Sequence, residues 1–191
     1  MGKGRLEAFS DGVFAVIITI MVLEMKVPHD TTLEALVPIW PVLFSYVMSF
    51  IFIAIYWVNH HHLLHTVHKI DARIMWANMH LLFWLSLVPF VTGWMGENHF
   101  ATVPVAAYGV VMLASAIAYT LLSWAIIAAH GQDSTLARAV GGDFKGYASL
   151  ALYASATAIA FVEPAVSVLM YLTVSAIWFL PDRRIERQVG K

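Results

Sequence analysis

Arg5, Ser10 and Asp11 stand close together at the head of an apolar run, RLEAFSDGVFAVIITIMVL. A guanidinium, a hydroxyl and a carboxylate here could join a buried polar network, or the carboxylate could take up and release protons. The angular separation of Arg5 and Asp11 on one helix argues against their direct pairing. A second set of reactive side chains lies in NHHHLLHTVHKID, Asn59 to Asp71. His61 and His65 are an i, i+4 pair, and His62, His65 and His68 are spaced by three. Either pattern could place imidazoles on one helix face, as zinc or iron sites require. Outside the cluster only His29, His80, His99 and His130 remain, each isolated. Membrane di-iron enzymes need several histidine boxes, and no H-E-x-x-H occurs. Ligand supply therefore argues against a catalytic metal site, and neither metal nor cofactor is expected. The chain has no cysteine, which excludes disulfides and thiolate chemistry.

These residues need elements to hold them. The 191 residues are 60% hydrophobic and 12% charged, with mean hydropathy +0.75. A soluble domain carries about 25% charged residues, so the expected solvent is a lipid bilayer. A formal net charge of −1 gives no sign of a nucleic-acid partner, and none is expected. Six apolar spans can be drawn, at 6–27, 36–59, 72–95, 102–129, 144–162 and 164–180, forming one all-α domain over 1–191. Pro38 and Pro41 fall in the opening turns of the second span, where proline costs least. Pro89 is expected to kink the third. Asp143 suits an N-cap for the fifth and Pro164 a first helical position for the sixth. Trp40, Trp57, Trp76, Trp94 and Trp178 fall towards span ends, as an interfacial aromatic belt would. A cleaved signal peptide fits poorly: Glu7 and Asp11 interrupt the run, and MVLEMKVP offers no small-residue cleavage site.

Six spans put both termini on one side. Lys3, Arg5, Lys69, Arg73, Arg138, Lys145, Arg183, Arg184, Arg187 and Lys191 then share that side, against Lys26 alone on the other. This is the positive-inside bias of a protein with cytoplasmic termini in a cell (inner) membrane. The tail DRRIERQVGK reads as a cytoplasmic anchor.

The first span is the unusual one. Its uninterrupted apolar stretch, Gly12 to Leu23, falls short of the roughly 20 residues that cross a bilayer, so Ser10 and Asp11 must enter or border the apolar zone. On a helix, Gly12, Val16, Thr19, Ile20 and Leu23 share one stripe, with Ser10 and Asp11 on its flanks. A charge deep in lipid costs at least about 2.5–3.5 kcal/mol, and such residues face protein or water. The first helix is therefore expected to be central, its Asp11 paired with a cation on another helix or subunit. Arg5, His60, His61, Asn78 and His80 are candidate members of that network. A histidine anchor, His60 or His61, would make activity sensitive to pH. The plain alternatives are that Arg5 snorkels, Asp11 caps, Asn78 and His80 join helices, and the stripe is ordinary packing.

Arg5-Leu-Glu-Ala-Phe9-Ser10-Asp11 matches R-x-x-x-F-S-D, and the chain here resembles the transmembrane protein 175 family, the lysosomal and prokaryotic potassium channels. Ala15 and Thr19, the Asn-His-rich end of the second span and LFWLSLVPF in the third look similar too, and the six-span layout agrees over the whole chain. The resemblance implies a homotetramer in the bilayer, with four first helices lining a path for monovalent cations and potassium as the permeating ion. It implies a constriction of aliphatic rings rather than carbonyls. Those rings map to Val16, Ile20 and Leu23, with Thr19 as a hydroxyl ring. No TVGYG filter occurs. Valine at position 16 departs from the isoleucine or leucine usual in the family, which shifts the expected narrowest point towards Ile20 or Leu23.

The expected function is thus a potassium-permeable channel of modest selectivity and no enzymatic activity. A proton-coupled transporter using Asp11 is the first rival, and a histidine-rich metalloenzyme the second.

Overall fold

The apolar runs fold as helices, and their ends fall where the sequence withdraws a backbone donor or supplies a cap. The computed structural model describes residues 2–131, 133–134, 136–137 and 144–179. The expected N-cap Asp143, the basic residues Arg138, Arg183, Arg184, Arg187 and Lys191, and the tail from Leu180 onwards lie outside the described residues. Among the described residues there is no strand.

Helix α1 spans Lys3–Leu23. A 3-10 turn, Leu33–Ile39, contains Pro38 and leads into α2, Trp40–His65, with proline at the start of the α-helix. Pro41 there surrenders an amide that has no intrahelical partner anyway. The second span is therefore longer than the sequence pattern set it: α2 runs to His65 and carries His60, His61, His62 and His65, leaving His68 in the loop. Helix α3, Ala72–Ser86, starts on Asp71, whose side chain accepts the amide N–H of Ile74 at 2.8 Å. That satisfies one of the orphan donors of the first turn. The third span breaks at Leu87, and α4 continues as Val88–Glu97. Pro89 lacks the N–H that would carry the ladder through this point. His99 and Phe100 take positive φ angles, 51° and 59°, to turn the chain into α5, Thr102–His130. Gly131, at φ 89°, follows the end of α5. Helices α6, Phe144–Ile159, and α7, Pro164–Phe179, form the expected tight hairpin, clasped by Ser167 Oγ donating to the Ala156 carbonyl at 2.7 Å.

Among the described residues, four rods are long and apolar enough to cross a membrane: Lys3–Leu23, Leu33–His65, Ala72–Glu97 and Thr102–His130. At 1.5 Å per residue the 16-residue α6 and α7 reach only roughly 24 Å. The rods pack through small and hydroxyl-bearing residues, as helices in lipid do. Thr92 donates to Ser49 at 2.7 Å, Ser49 to the Tyr108 hydroxyl at 3.2 Å, and Tyr171 to the Val105 carbonyl at 3.2 Å. Tyr108, Tyr171, Phe52 and Met48 are fully buried around these bonds. Lys3 Nζ reaches the His65 carbonyl at 3.1 Å, and His130 Nε2 accepts the His68 and Lys69 amides at 3.1 and 3.3 Å. These contacts gather the start of α1, the end of α2 and the end of α5 at one end of the bundle.

Candidate functional site: the two faces of the first helix

Helix α1 packs on one side only. Leu6, Ser10, Phe14, Ile17 and Met21 recur every three or four residues and are buried against α2, α3 and α4. This is the spacing that keeps side chains on one helical face. The other face holds the stripe. Val16, Ile20 and Leu23 are 54%, 41% and 78% exposed, and Phe9, Gly12 and Thr19 are exposed beside them. So a span with a serine and an aspartate in its first half also turns an aliphatic face away from its own chain.

Ser10 sits on the inner face, and a chain of hydrogen bonds fixes it there. Its hydroxyl donates to the Leu6 carbonyl at 2.8 Å and accepts from Asn78 Nδ2 at 3.0 Å. Asn78 Oδ1 lies 2.6 Å from His60 Nε2. The imidazole nitrogen must donate, because the amide oxygen can only accept. Ser10, Asn78 and His60 are all buried, so α1, α3 and α2 are locked at one level by a satisfied polar chain. The His60 ring also lies against Phe14, with ring centres 5.4 Å apart. Such a chain fixes the rotation of α1, since turning it would orphan buried groups.

Asp11 does not join this chain. It is exposed, and its carboxylate accepts the Trp57 Nε1–H at 2.9 Å. The sequence points to a cation on another helix or subunit, or a histidine, as its partner; within this chain, among the described residues, Asp11 takes the indole of Trp57. The physical reason is geometric: one residue past the buried Ser10, Asp11 is rotated roughly 100° round the helix and faces the outer flank of α2. Arg5 and Phe9 are exposed on α1 as well. His61 is exposed beside Trp57, with ring centres 6.3 Å apart, and His80 is exposed and accepts the Trp84 Nε1–H at 2.9 Å. Of the five candidate network members, then, Asn78 meets Ser10 and His60 joins through Asn78, while Arg5, His61 and His80 stand apart from that chain. Trp57 was assigned to the aromatic belt, and nothing in its position along the chain marks it as a donor to Asp11.

Thr19 Oγ1 lies 3.0 Å from both the Ala15 and the Val16 carbonyls. Its proton is used within the helix, so the hydroxyl offers only lone pairs outward. Of the histidine run, His61 and His65 stack on one face with ring centres 6.0 Å apart. Among the described residues no three histidine, aspartate or glutamate side chains converge as metal ligands.

A groove of about 1000 Å³ lies between α1 and α4, bordered by Val16, Ile20 and Glu24 on one side and by Phe90, Trp94 and Glu97 on the other. At its end away from the N-terminus, Lys26 Nζ pairs with Glu97 at 3.1 Å.

Residues 5–89 match the family model described as the endosomal/lysosomal potassium channel TMEM175. A potassium channel from Chryseobacterium sp. (strain P1-3) is 51% identical over 189 residues, covering 99% of this chain and 98% of that one. A potassium channel from Streptomyces collinus is 40% identical over 130 residues, covering 64% of this chain and 63% of its own length. The crystal structure of a lysosomal potassium-selective channel TMEM175 homologue from Chamaesiphon minutus superposes with a TM-score of 0.79. It is 32% identical and covers 94% of this chain and 97% of that one. The metalloenzyme reading of the histidine run is thereby set aside. This multi-pass, all-helical chain belongs to the TMEM175 family of channels and is not an enzyme.

Proposed function

We propose that the protein is a potassium-permeable channel of the cell membrane, assembled as a homotetramer in which four copies of α1 surround the conduction path. The supporting observation is the division of α1 into two faces. The buried face is pinned by Ser10, Asn78 and His60, and the free face carries Val16, Thr19, Ile20 and Leu23. The similarity to proteins named as potassium channels supports the choice of ion. The basic residues at the N-terminal end of the bundle support cytoplasmic termini. All six spans, with α3 and α4 forming one of them, cross the bilayer in this reading, and no cofactor takes part.

Rings of Val16, Ile20 and Leu23 form a hydrophobic constriction that gates by dewetting. An ion passing a narrow apolar ring sheds part of its hydration shell. Potassium holds its water less tightly than sodium and loses less. The outward lone pairs of Thr19 replace part of the lost water. Four hydroxyls and alkyl rings coordinate more weakly than stacked carbonyls, so selectivity over sodium is modest. Val16 is smaller than Ile20 and Leu23, so the narrowest ring is Ile20 or Leu23.

Ion flux from liposomes holding the purified protein tests the reading, potassium compared with sodium. Ile20→Asn and Leu23→Asn should each raise sodium leakage by wetting the ring. Unchanged selectivity in both would move the filter off α1.

A further inference from the structure

We infer that Glu24 is a conductance-determining residue: a carboxylate at the mouth opposite the termini that concentrates cations for the path along α1. The inference rests on the channel reading above.

Glu24 follows Leu23 directly and still has helical backbone angles, φ −71° and ψ −16°. It lies one turn beyond Ile20, so it continues the Val16–Ile20 line roughly 40° further round, on the shoulder facing α4. The side chain is exposed, and its stem lies beside Gly93 of α4. It borders the same groove as Val16 and Ile20. Two carboxylates stand at this end of the groove, and they are not equivalent. Glu97 is neutralised by Lys26 at 3.1 Å, whereas Glu24 has no ion pair among the described residues. Lys26, the lysine near this mouth, is therefore committed to the farther carboxylate. The charge left uncompensated is the one adjoining the aliphatic stripe.

Four copies around an axis would place four such charges at one entrance. A ring of carboxylates raises the local concentration of permeant cations and the rate at which they arrive. It acts on throughput. It does not act on the choice between potassium and sodium, because hydrated cations of equal charge are attracted equally. The effect is electrostatic and reaches over a Debye length, about 30 Å at 0.01 M and about 3 Å at 1 M salt.

The test is single-channel recording of the full-length protein in planar bilayers at about 10 mM and about 1 M KCl, conditions that bracket those screening lengths. Glu24→Gln should lower unitary conductance several-fold at low salt and match the parent at high salt, with an unchanged potassium-to-sodium ratio. Glu24→Lys should lower it further and make current rectify. Glu163→Gln, in the α6–α7 turn away from this groove, should do neither. Parental conductance for Glu24→Gln at low salt would overturn the inference, as would an equal loss at both salt concentrations. Ile20→Asn, recorded alongside, separates this failure from that of the channel reading. If it alters selectivity while Glu24→Gln is silent, only the Glu24 assignment falls. If neither alters anything, the path does not follow α1.

Discussion

Asn78 and Ser10, 68 residues apart in sequence, meet through a 3.0 Å hydrogen bond that ties the first helix to the third. Asn78 is the only member of the buried chain that both donates and accepts between helices. It donates a hydrogen bond to Ser10 and accepts one from His60. Substitution by Leu leaves the His60 Nε2–H without this partner in an apolar interior and removes the bond to Ser10, whose hydroxyl keeps the Leu6 carbonyl. The stranded imidazole alone costs about 1–3 kcal/mol. The Asn78→Leu protein should therefore melt at a clearly lower temperature in detergent. Asn78→Asp keeps an acceptor for His60 and loses the donor to Ser10, so it should fall between the two. Thermal unfolding followed by circular dichroism checks the order.

The bond from Trp57 to Asp11 lies at an exposed flank, where water can take over. Trp57→Phe should cost about 1 kcal/mol or less, in line with a single hydrogen bond whose partners stay solvated. The same melting experiment should place it well above Asn78→Leu. A loss as large as that of Asn78→Leu would mean that Asp11 is enclosed by neighbouring protein after assembly.

Gly109 and Gly12 make opposite predictions from the same change. A methyl group at Gly109 would overlap the Tyr171 hydroxyl and Thr157 Oγ1, in the core between α5, α6 and α7. Gly109→Ala should destabilise the subunit by about 1–3 kcal/mol, the usual range for overpacking. At Gly12 nothing within the chain lies within 4 Å of an added methyl. Gly12→Ala should leave subunit stability unchanged and act, if anywhere, on assembly. Comparing melting with the oligomer population by size-exclusion chromatography separates the two effects.

Val16 is the smallest of the three aliphatic residues on the free face. Enlarging it to Leu adds bulk to one ring of the proposed constriction. Val16→Leu should reduce potassium flux into liposomes without loss of folded protein. Flux equal to the parent would show that this position leaves the narrowest point untouched.

The spans were legible because bilayer thickness and hydropathy act on composition, which a single sequence displays. The break at Leu87 was legible for a local reason, the missing donor of Pro89 two residues on. The stripe on α1 could be read from helical periodicity, and the structure does place Val16, Ile20 and Leu23 on its free face. Which polar groups would meet was not legible. Asn78 and His60 reach Ser10 only because three helices adopt particular rotations at one depth. A tryptophan near a span end looks like a belt residue whether or not its N–H points at a carboxylate, so Trp57 gave no signal. Glu24 was passed over because it stands outside the apolar run, where an acidic residue needs no explanation.

The one-sided packing of α1 also bears on how the protein is made. A newly inserted single copy would turn Asp11, Thr19 and the adjoining aliphatic surface towards acyl chains, with only Trp57 covering the carboxylate. Even the lowest insertion scales put such a charge at about 2.5–3.5 kcal/mol, a sizeable fraction of the roughly 5–15 kcal/mol that keeps a typical domain folded. Solitary copies would then be short-lived in the bilayer, liable to expulsion of their leading helix or to proteolysis. On the homotetrameric assembly proposed above, abundance in the cell would follow the efficiency with which copies find one another rather than the rate at which they are synthesised.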